Sequence, residues 1–338
     1  MTSPADRLRA LIGDYWKPHV VACAARLGIA DALGKETLGA GELATRVGAD
    51  ADAMYRFLRT LASVGLVNDN GDGRFALTGI GACLRKDSPD SLHGMALHVA
   101  TQLSPAFAQL DQCVRSGSPP PGIKHGTEGF AELDEDTEAA AIFNQAMVDN
   151  SRRFATEAAR AFDFSGFATT IDVGGGYGAV LAGLLCAVPE ARGAVIDLAH
   201  AEAGAHRLFE REGVADRARF VTGSFFEPLP EMADCYVLKY ILHDWPDAEA
   251  EAIVRRVGEA ALSSGGAVMV IEKIMPERVA EDPGHAMALY GDMTMMLWNG
   301  RERTEPEFRQ LLAKGGLQFV QSIELSDNHY LIEARPAT

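Results

Sequence analysis

Three stretches of this chain carry residue types that do chemistry when they meet. The first is Asp172-Val173-Gly174-Gly175-Gly176-Tyr177-Gly178, set between a β-branched run, Ala168-Thr169-Thr170-Ile171, and an apolar run of helical character at 179–185. Glycine permits the positive φ of a tight strand-to-helix turn, and its missing side chain lets a nucleotide approach the main chain. Gly174, Gly176 and Ala179 also fit a looser dinucleotide pattern, with a pyrophosphate at the helix N-terminus. Asp172 tilts the choice, because a carboxylate at the strand end opposes a phosphate and suits an ammonium or a sulfonium. Asp197 closes the next strand-like run, where a ribose-binding acid is expected. An ordinary glycine-rich turn is the plain alternative.

The second stretch is Leu238-Lys239-Tyr240-Ile241-Leu242-His243-Asp244-Trp245-Pro246. It ends a strand-like run, and ligands of a parallel sheet bind at the carboxyl ends of its strands. His243 therefore shares a rim with Asp172 and Asp197, and histidine is the natural general base near neutral pH. Asp244 follows it, and Pro246 with Asp247 is expected to cap the next helix. The third stretch pairs Glu272, at the end of 267–273, with Glu302 in Asn299-Gly300-Arg301-Glu302-Arg303-Thr304. Glu272 reads as an orienter of the histidine or as a solvated strand end. Glu302 alone reads as a charged loop residue ahead of a capping box, Thr304 with Glu307. Met287, Met293, Met295 and Met296, with Trp298 nearby, fill core gaps or line a pliable pocket for an aromatic ring.

The elements that must position these residues follow from the pattern. From Ala168 onward strand-like runs at 169–173, 194–198, 219–222, 234–241 and 267–273 alternate with helical stretches. Runs at 319–325 and 329–334 close the chain, separated only by Ser326-Asp327-Asn328. The alternation predicts an α/β, doubly wound parallel sheet, and the final close pair predicts an antiparallel hairpin on it. The acidic run 132–138 is expected to be the solvated start of a helix reaching about Phe162.

The N-terminal part reads differently. Residues 1 to about 35 look helical, and two helices at 41–47 and 51–64 precede strand-like runs at 65–67 and 74–77. Helix, turn, helix and hairpin make a winged-helix pattern, which would offer Arg56 and Arg59 to a DNA groove. Residues 1–120 hold 12 Lys or Arg against 12 Asp or Glu, so the segment lacks the basic face of a DNA reader and favours packing or interaction. Two domains are expected, 1–103 and 104–338.

Composition is that of a soluble globular protein. The 338 residues are 47% hydrophobic and 23% charged, enough for a sizeable core. A net charge of −16 argues against a general nucleic-acid binder and weakly favours small-molecule substrates. No apolar run approaches bilayer length and the N-terminus is polar, so no membrane partner is expected and the cytoplasm is the expected location. The five cysteines are scattered, with no CxxC pair, and read as reduced thiols rather than a disulfide framework or structural zinc site.

Together these motifs resemble the caffeate-type (plant-type, family 2) O-methyltransferases of plants and bacteria, which use S-adenosylmethionine and need no metal. The resemblance spans nearly the whole chain, and its most specific parts are 239–245 and Gly300-Arg301-Glu302-Arg303-Thr304-Glu305. It implies a Rossmann-like class I methyltransferase sheet with an antiparallel last hairpin. It also implies a mostly helical, winged-helix-like N-terminal domain that forms a homodimer and closes the partner's pocket. By motif it implies that Asp172, Gly174 and Gly176 hold the methionine part of the cofactor, that Asp197 binds the ribose hydroxyls and that Leu198 borders the adenine. Ser224 and Phe225 fall at the adenine edge, with Ser224 where the family usually has Asp, and Lys239 would reach the cofactor. His243 matches the catalytic base, beside Asp244 and flanked by Glu272 and Glu302. Met147, Asn150, Met296, Trp298 and Asn299 fall at the acceptor pocket. Asn150, where plant enzymes often have histidine, and the shortened loop at Trp298 depart from the plant pattern. The alanine-rich, arginine-rich composition favours a bacterial member acting on a polycyclic or polyketide-type phenol. C- or N-methylation, hydroxylation or decarboxylation on the same fold, a winged-helix regulator and a nicotinamide dehydrogenase are the competing readings.

Overall fold

The computed structural model describes residues 3–280 and 283–337. The chain divides into two compact units, Met1–Pro105 with Gln145–Asp149, and Ala106–Asn144 with Asn150–Thr338.

In the first unit, helices Ala40–Val47 and Ala51–Ser63 pack through Leu43, Leu58 and Leu61 onto Leu33 and Phe75. Asp50 starts the second of these helices by accepting the Ala53 amide at 2.9 Å, which satisfies a donor with no partner inside the helix. Three short strands complete the unit, β1 (Leu38–Gly39), β2 (Val67–Asp69) and β3 (Arg74–Leu77), in the order β1-β3-β2. The hairpin was legible in sequence; two-residue β1 was too short to leave a periodic signal. Helix Pro4–Gly13 buries none of its residues and leaves Leu8, Leu11 and Ile12 exposed.

The second unit is built on seven strands: β4 (Thr169–Val173), β5 (Arg192–Asp197), β6 (Ala218–Thr222), β7 (Cys235–Lys239), β8 (Ala267–Lys273), β9 (Leu317–Glu324) and β10 (His329–Pro336). Their order is β6-β5-β4-β7-β8-β10-β9. β4 to β8 run parallel, and β10 pairs antiparallel with both β8 and β9. Every residue of β7 and β8 is buried, as expected for parallel strands covered on both faces. The sheet grows outward from β4 through β5 to β6, then returns to place β7 on the other side of β4. That reversal opens a crevice at the carboxyl ends of β4 and β7, the general ligand position of such sheets.

Three local expectations are corrected. The run 234–241 does not stay extended, because Tyr240 adopts φ 58° and turns the chain out of β7 after Lys239. The acidic run does not open one helix; its first part ends helix Gly126–Glu135, and Asp136 then caps Thr137–Ala161 by accepting the Glu138 and Ala139 amides. Pro246 occupies the cap position of helix Asp247–Ser264 without a side-chain cap bond, and Asp247 is bonded to Arg303 instead. Among the described residues no helix is long and apolar enough to cross a membrane.

Candidate active site

The glycine turn after β4 is a cradle with two carboxylates at its edge. Gly174, Gly176 and Gly178 take φ of 69°, 57° and 79°, the left-handed region where a side chain is strained. A Cβ on Gly174 would press into Ile241 and Phe225, and one on Gly178 into Phe209 and Val195. Asp172 is buried; one carboxylate oxygen accepts the Leu181 amide at 3.2 Å and the other has no hydrogen-bond partner among the described residues. Burial pushes its pKa up to about 7, with the Asp197 charge adding to the shift and Lys239 opposing it. Asp197, at the end of β5, accepts the Gly176 and Leu198 amides at 2.6 Å each, and burial raises its pKa too.

Across the crevice, Lys239 is buried at the end of β7 with no hydrogen-bond partner for its ammonium among the described residues, and burial lowers its pKa to about 7 against the pull of Glu272. A carboxylate oxygen and an ammonium that both lack a hydrogen-bond partner on one crevice are groups a zwitterionic amino-acid end would satisfy. Phe225 is half-buried, edge-on to Trp245 at 5.8 Å and close over Gly174. The Ser224 hydroxyl accepts the Phe226 amide at 3.2 Å, a local turn bond. Leu198 is half-buried beside Asp197.

The His243 turn lies on the same rim. His243 Nδ1 is 3.0 Å from Glu302 Oε1 and 3.5 Å from Glu272 Oε2, while Nε2 is 3.4 Å from Asp244 Oδ1. Burial opposes charge on the ring, but Glu272, Glu302 and Asp244 outweigh it and raise the His243 pKa to about 9. Glu272 is fully buried. Its Oε1 accepts the Ile241 and Leu242 amides at 3.0 Å each, so it shapes the turn as well as facing the histidine. Glu302 is held below the usual carboxylate range: burial works against its charge, but His243 and the Lys273 ammonium, 3.7 Å away, overcome that cost. The three residues each offer an atom within 4.8 Å of the others, a spacing a metal ion could bridge. Nδ1 and Oε1 are, however, already at hydrogen-bond distance.

Sequence reasoning missed the residues that fix this turn. Arg303 is fully buried and donates to the carbonyls of Leu242 at 2.7 Å and Trp245 at 3.0 Å, and to Asp247 at 2.9 Å. The Arg301 amide donates to the His243 carbonyl at 2.8 Å. Gly300 lies so close that a Cβ would overlap the His243 carbonyl oxygen, which is backbone and pinned on both sides. Gly300→Ala is expected to cost about 1–3 kcal/mol of stability through overpacking. A thermal midpoint equal to wild type would show that the turn has room after all.

The remaining site candidates are spread more widely. Met296 and Trp298 pack on a cluster with Ala106, Cys113 and Leu297. Asn299 is exposed at φ 66° in the turn that leaves helix Pro283–Leu297. Asn150 hydrogen-bonds the Tyr240 hydroxyl. Met147 is half-buried in the segment grouped with the first unit.

Comparison with known proteins shows the family. The O-methyltransferase domain family matches residues 107–318, and the O-methyltransferase dimerisation domain matches residues 10–87. O-demethylpuromycin-O-methyltransferase of Streptomyces alboniger is 35% identical over 93% of this chain and 84% of that protein. The crystal structure of LaPhzM superposes with a TM-score of 0.90 at 32% identity, covering 99% of this chain and 100% of that one. The neocarzinostatin-biosynthesis O-methyltransferase NcsB1, solved with S-adenosylmethionine and 2-hydroxy-5-methyl naphthoic acid, gives 0.76 at 34% identity over 97% and 98% of the two chains. No metal is implied by this family. With its dimerisation stretch, its class I methyltransferase sheet and the rim just described, the chain belongs to the plant-type S-adenosylmethionine-dependent O-methyltransferases.

Proposed function

We propose that this enzyme methylates an aromatic hydroxyl of a small secondary metabolite, with His243 as general base. The observation that carries the reading is the contact between His243 Nδ1 and Glu302. A carboxylate at 3.0 Å holds the hydrogen on Nδ1, so that the ring, when neutral, presents the Nε2 lone pair to take a proton. When bound, S-adenosylmethionine supplies a methyl carbon made electrophilic by its sulfonium.

The residues of the chain supply the rest. Asp172 and Lys239 face the amino-acid end, Asp197 the ribose hydroxyls, and Phe225 with Leu198 the adenine, while the hydroxyl of Ser224 stands in for a carboxylate at the adenine edge. His243 takes the phenolic proton, and Glu302 stabilises the imidazolium through its bond to Nδ1. Glu272 holds the turn and adds negative potential, and Asp244 adds to it from the Nε2 side. Asn150, Met296, Trp298 and Asn299 are proposed to border the acceptor. The largest share of acceleration comes from aligning two bound reactants, with proton removal a smaller factor. Relatives act on polycyclic aromatics such as a hydroxynaphthoic acid, which supports a phenol of that class here. The dimerisation stretch is proposed to pair two copies, and exposed Leu8, Leu11 and Ile12 are suited to such a contact.

The direct test is incubation with labelled S-adenosylmethionine and a panel of phenols and aromatic amines, read by mass spectrometry. Label appearing on nitrogen or carbon and never on oxygen would overturn the reading. Asp197→Ala is expected to weaken S-adenosylhomocysteine binding about ten- to a hundredfold, the worth of a charged hydrogen bond, measured by calorimetry. Undiminished affinity would remove Asp197 from the ribose contact.

A further inference from the structure

Between the cofactor lysine and the catalytic histidine stands a tyrosine to which the reaction gives no task. Tyr240 is non-glycine at φ 58°, a strained conformation that packing must hold in place. Its ring centre is 3.5 Å from the Lys239 ammonium and 4.7 Å from the centre of the His243 ring, tilted 30° to it. One side chain therefore packs on a group from each half of the site.

The hydroxyl is what anchors that ring. It meets His329 Nε2, on the strand β10, and also receives a hydrogen bond from Asn150. The direction of the His329 bond follows from the other ring nitrogen. Nδ1 lies 3.1 Å from the Ser326 carbonyl and 3.0 Å from the Asp327 carbonyl, both pure acceptors, so Nδ1 carries the hydrogen. Burial, with Lys273 and Lys239 nearby, lowers the His329 pKa to about 3, so the ring is neutral at working pH and Nε2 has only a lone pair. Tyr240 is thus the donor, and its proton is committed to His329.

His329 is itself fixed. It stacks on Phe154 at 3.9 Å, and the hairpin turn before it is held to helix Thr137–Ala161. In that contact Glu157 accepts the Ser326 amide at 3.0 Å and Arg153 pairs with Asp327 at 2.7 Å.

We infer that Tyr240 and His329 are a positioning pair: their hydrogen bond fixes the Tyr240 ring, and that ring sets Lys239 and His243 relative to each other. The inference rests on the proposed transfer with His243 as base. Its consequence is a loss of turnover larger than any loss of binding, because Lys239 is one of several proposed cofactor contacts and the glycine cradle and Asp197 are untouched.

The test compares Tyr240→Phe, His329→Phe and the double variant, with His329→Gln as a rescue that returns an acceptor oxygen. His329→Phe preserves the stack on Phe154, so folding is checked by thermal midpoint with both rings retained. Each single variant is expected to lower kcat about tenfold through misalignment of the reacting groups, with acceptor KM and S-adenosylhomocysteine affinity within about twofold of wild type. The double variant should be no worse than the poorer single variant, since the Tyr240–His329 bond is already lost in each. His329→Gln should recover part of the loss. A Tyr240→Phe enzyme with wild-type kcat, losses that multiply in the double variant, or cofactor affinity falling in step with kcat would each overturn the pair. His243→Ala is assayed alongside. If it is inactive while Tyr240→Phe is normal, only the positioning pair fails; if it retains full turnover, the underlying reading of the site fails.

Discussion

His243→Ala should lose about a hundred- to ten-thousandfold in turnover, the usual worth of a positioned proton acceptor, while calorimetry still finds S-adenosylhomocysteine bound near wild-type affinity. The separation is expected because the proposed cofactor contacts sit on β4, β5 and the end of β7, and the His243 ring makes none of the bonds that hold them. The same residue sets the pH dependence. A base acts only when neutral, and the His243 pKa is raised to about 9: burial opposes its charge, but three carboxylates overcome that cost. Below that value the neutral fraction falls tenfold per pH unit, so kcat/KM should climb with pH and level off near 9. Glu272 is the largest electrostatic contributor to the rise. Glu272→Gln should therefore move the ascending limb to lower pH, even if a less well-held turn lowers the plateau. A rate profile flat from pH 6 to 9, or a limb that stays put in Glu272→Gln, would mean that His243 is not the titrating base.

How much of this was legible in the sequence depends on what carried the signal. The strand ends at Asp172, Asp197 and Glu272 were readable because strand-like runs stop there, and a parallel sheet gathers its carboxyl ends on one rim. That is a local pattern plus one rule of topology. The placing of Glu302 beside His243 was not available locally. It sits 59 positions further on in a loop, and only the resemblance pointed to it. Arg303 was passed over because a charged residue next to a helix cap reads as solvated surface. Its burial arises from two backbone carbonyls on a turn 58 to 61 positions earlier, and no periodicity reports such a contact. Tyr240 was read as one more strand residue, since a tyrosine after Val237-Leu238-Lys239 fits an extended run. Its positive φ is imposed by tertiary contacts that override local preference.

Arg303→Met should be the most destabilising single change near the site, by about 3–6 kcal/mol, from two charge-assisted backbone bonds worth about 1.5–3 kcal/mol each. The Asp247 contact is left out of that sum, because the Asp247 side chain is exposed and such pairs contribute little. Methionine fills a similar volume but donates nothing, so the carbonyls of Leu242 and Trp245 lose their partner, one on each side of His243. Arg303→Lys separates charge from geometry. A single ammonium lacks the planar fork that reaches both carbonyls and the carboxylate at once, so it should recover only part of the stability. Urea unfolding gives the free-energy change, and turnover should fall further than the folded fraction explains, because the turn carries the base. Cofactor affinity should hold within about twofold, since Asp197 and the glycine cradle belong to other strands. Wild-type turnover in Arg303→Met would show that the turn is held by Glu272 and the Arg301 amide without it. If cofactor affinity fell in proportion to turnover, the arginine would be supporting the whole rim rather than the His243 turn.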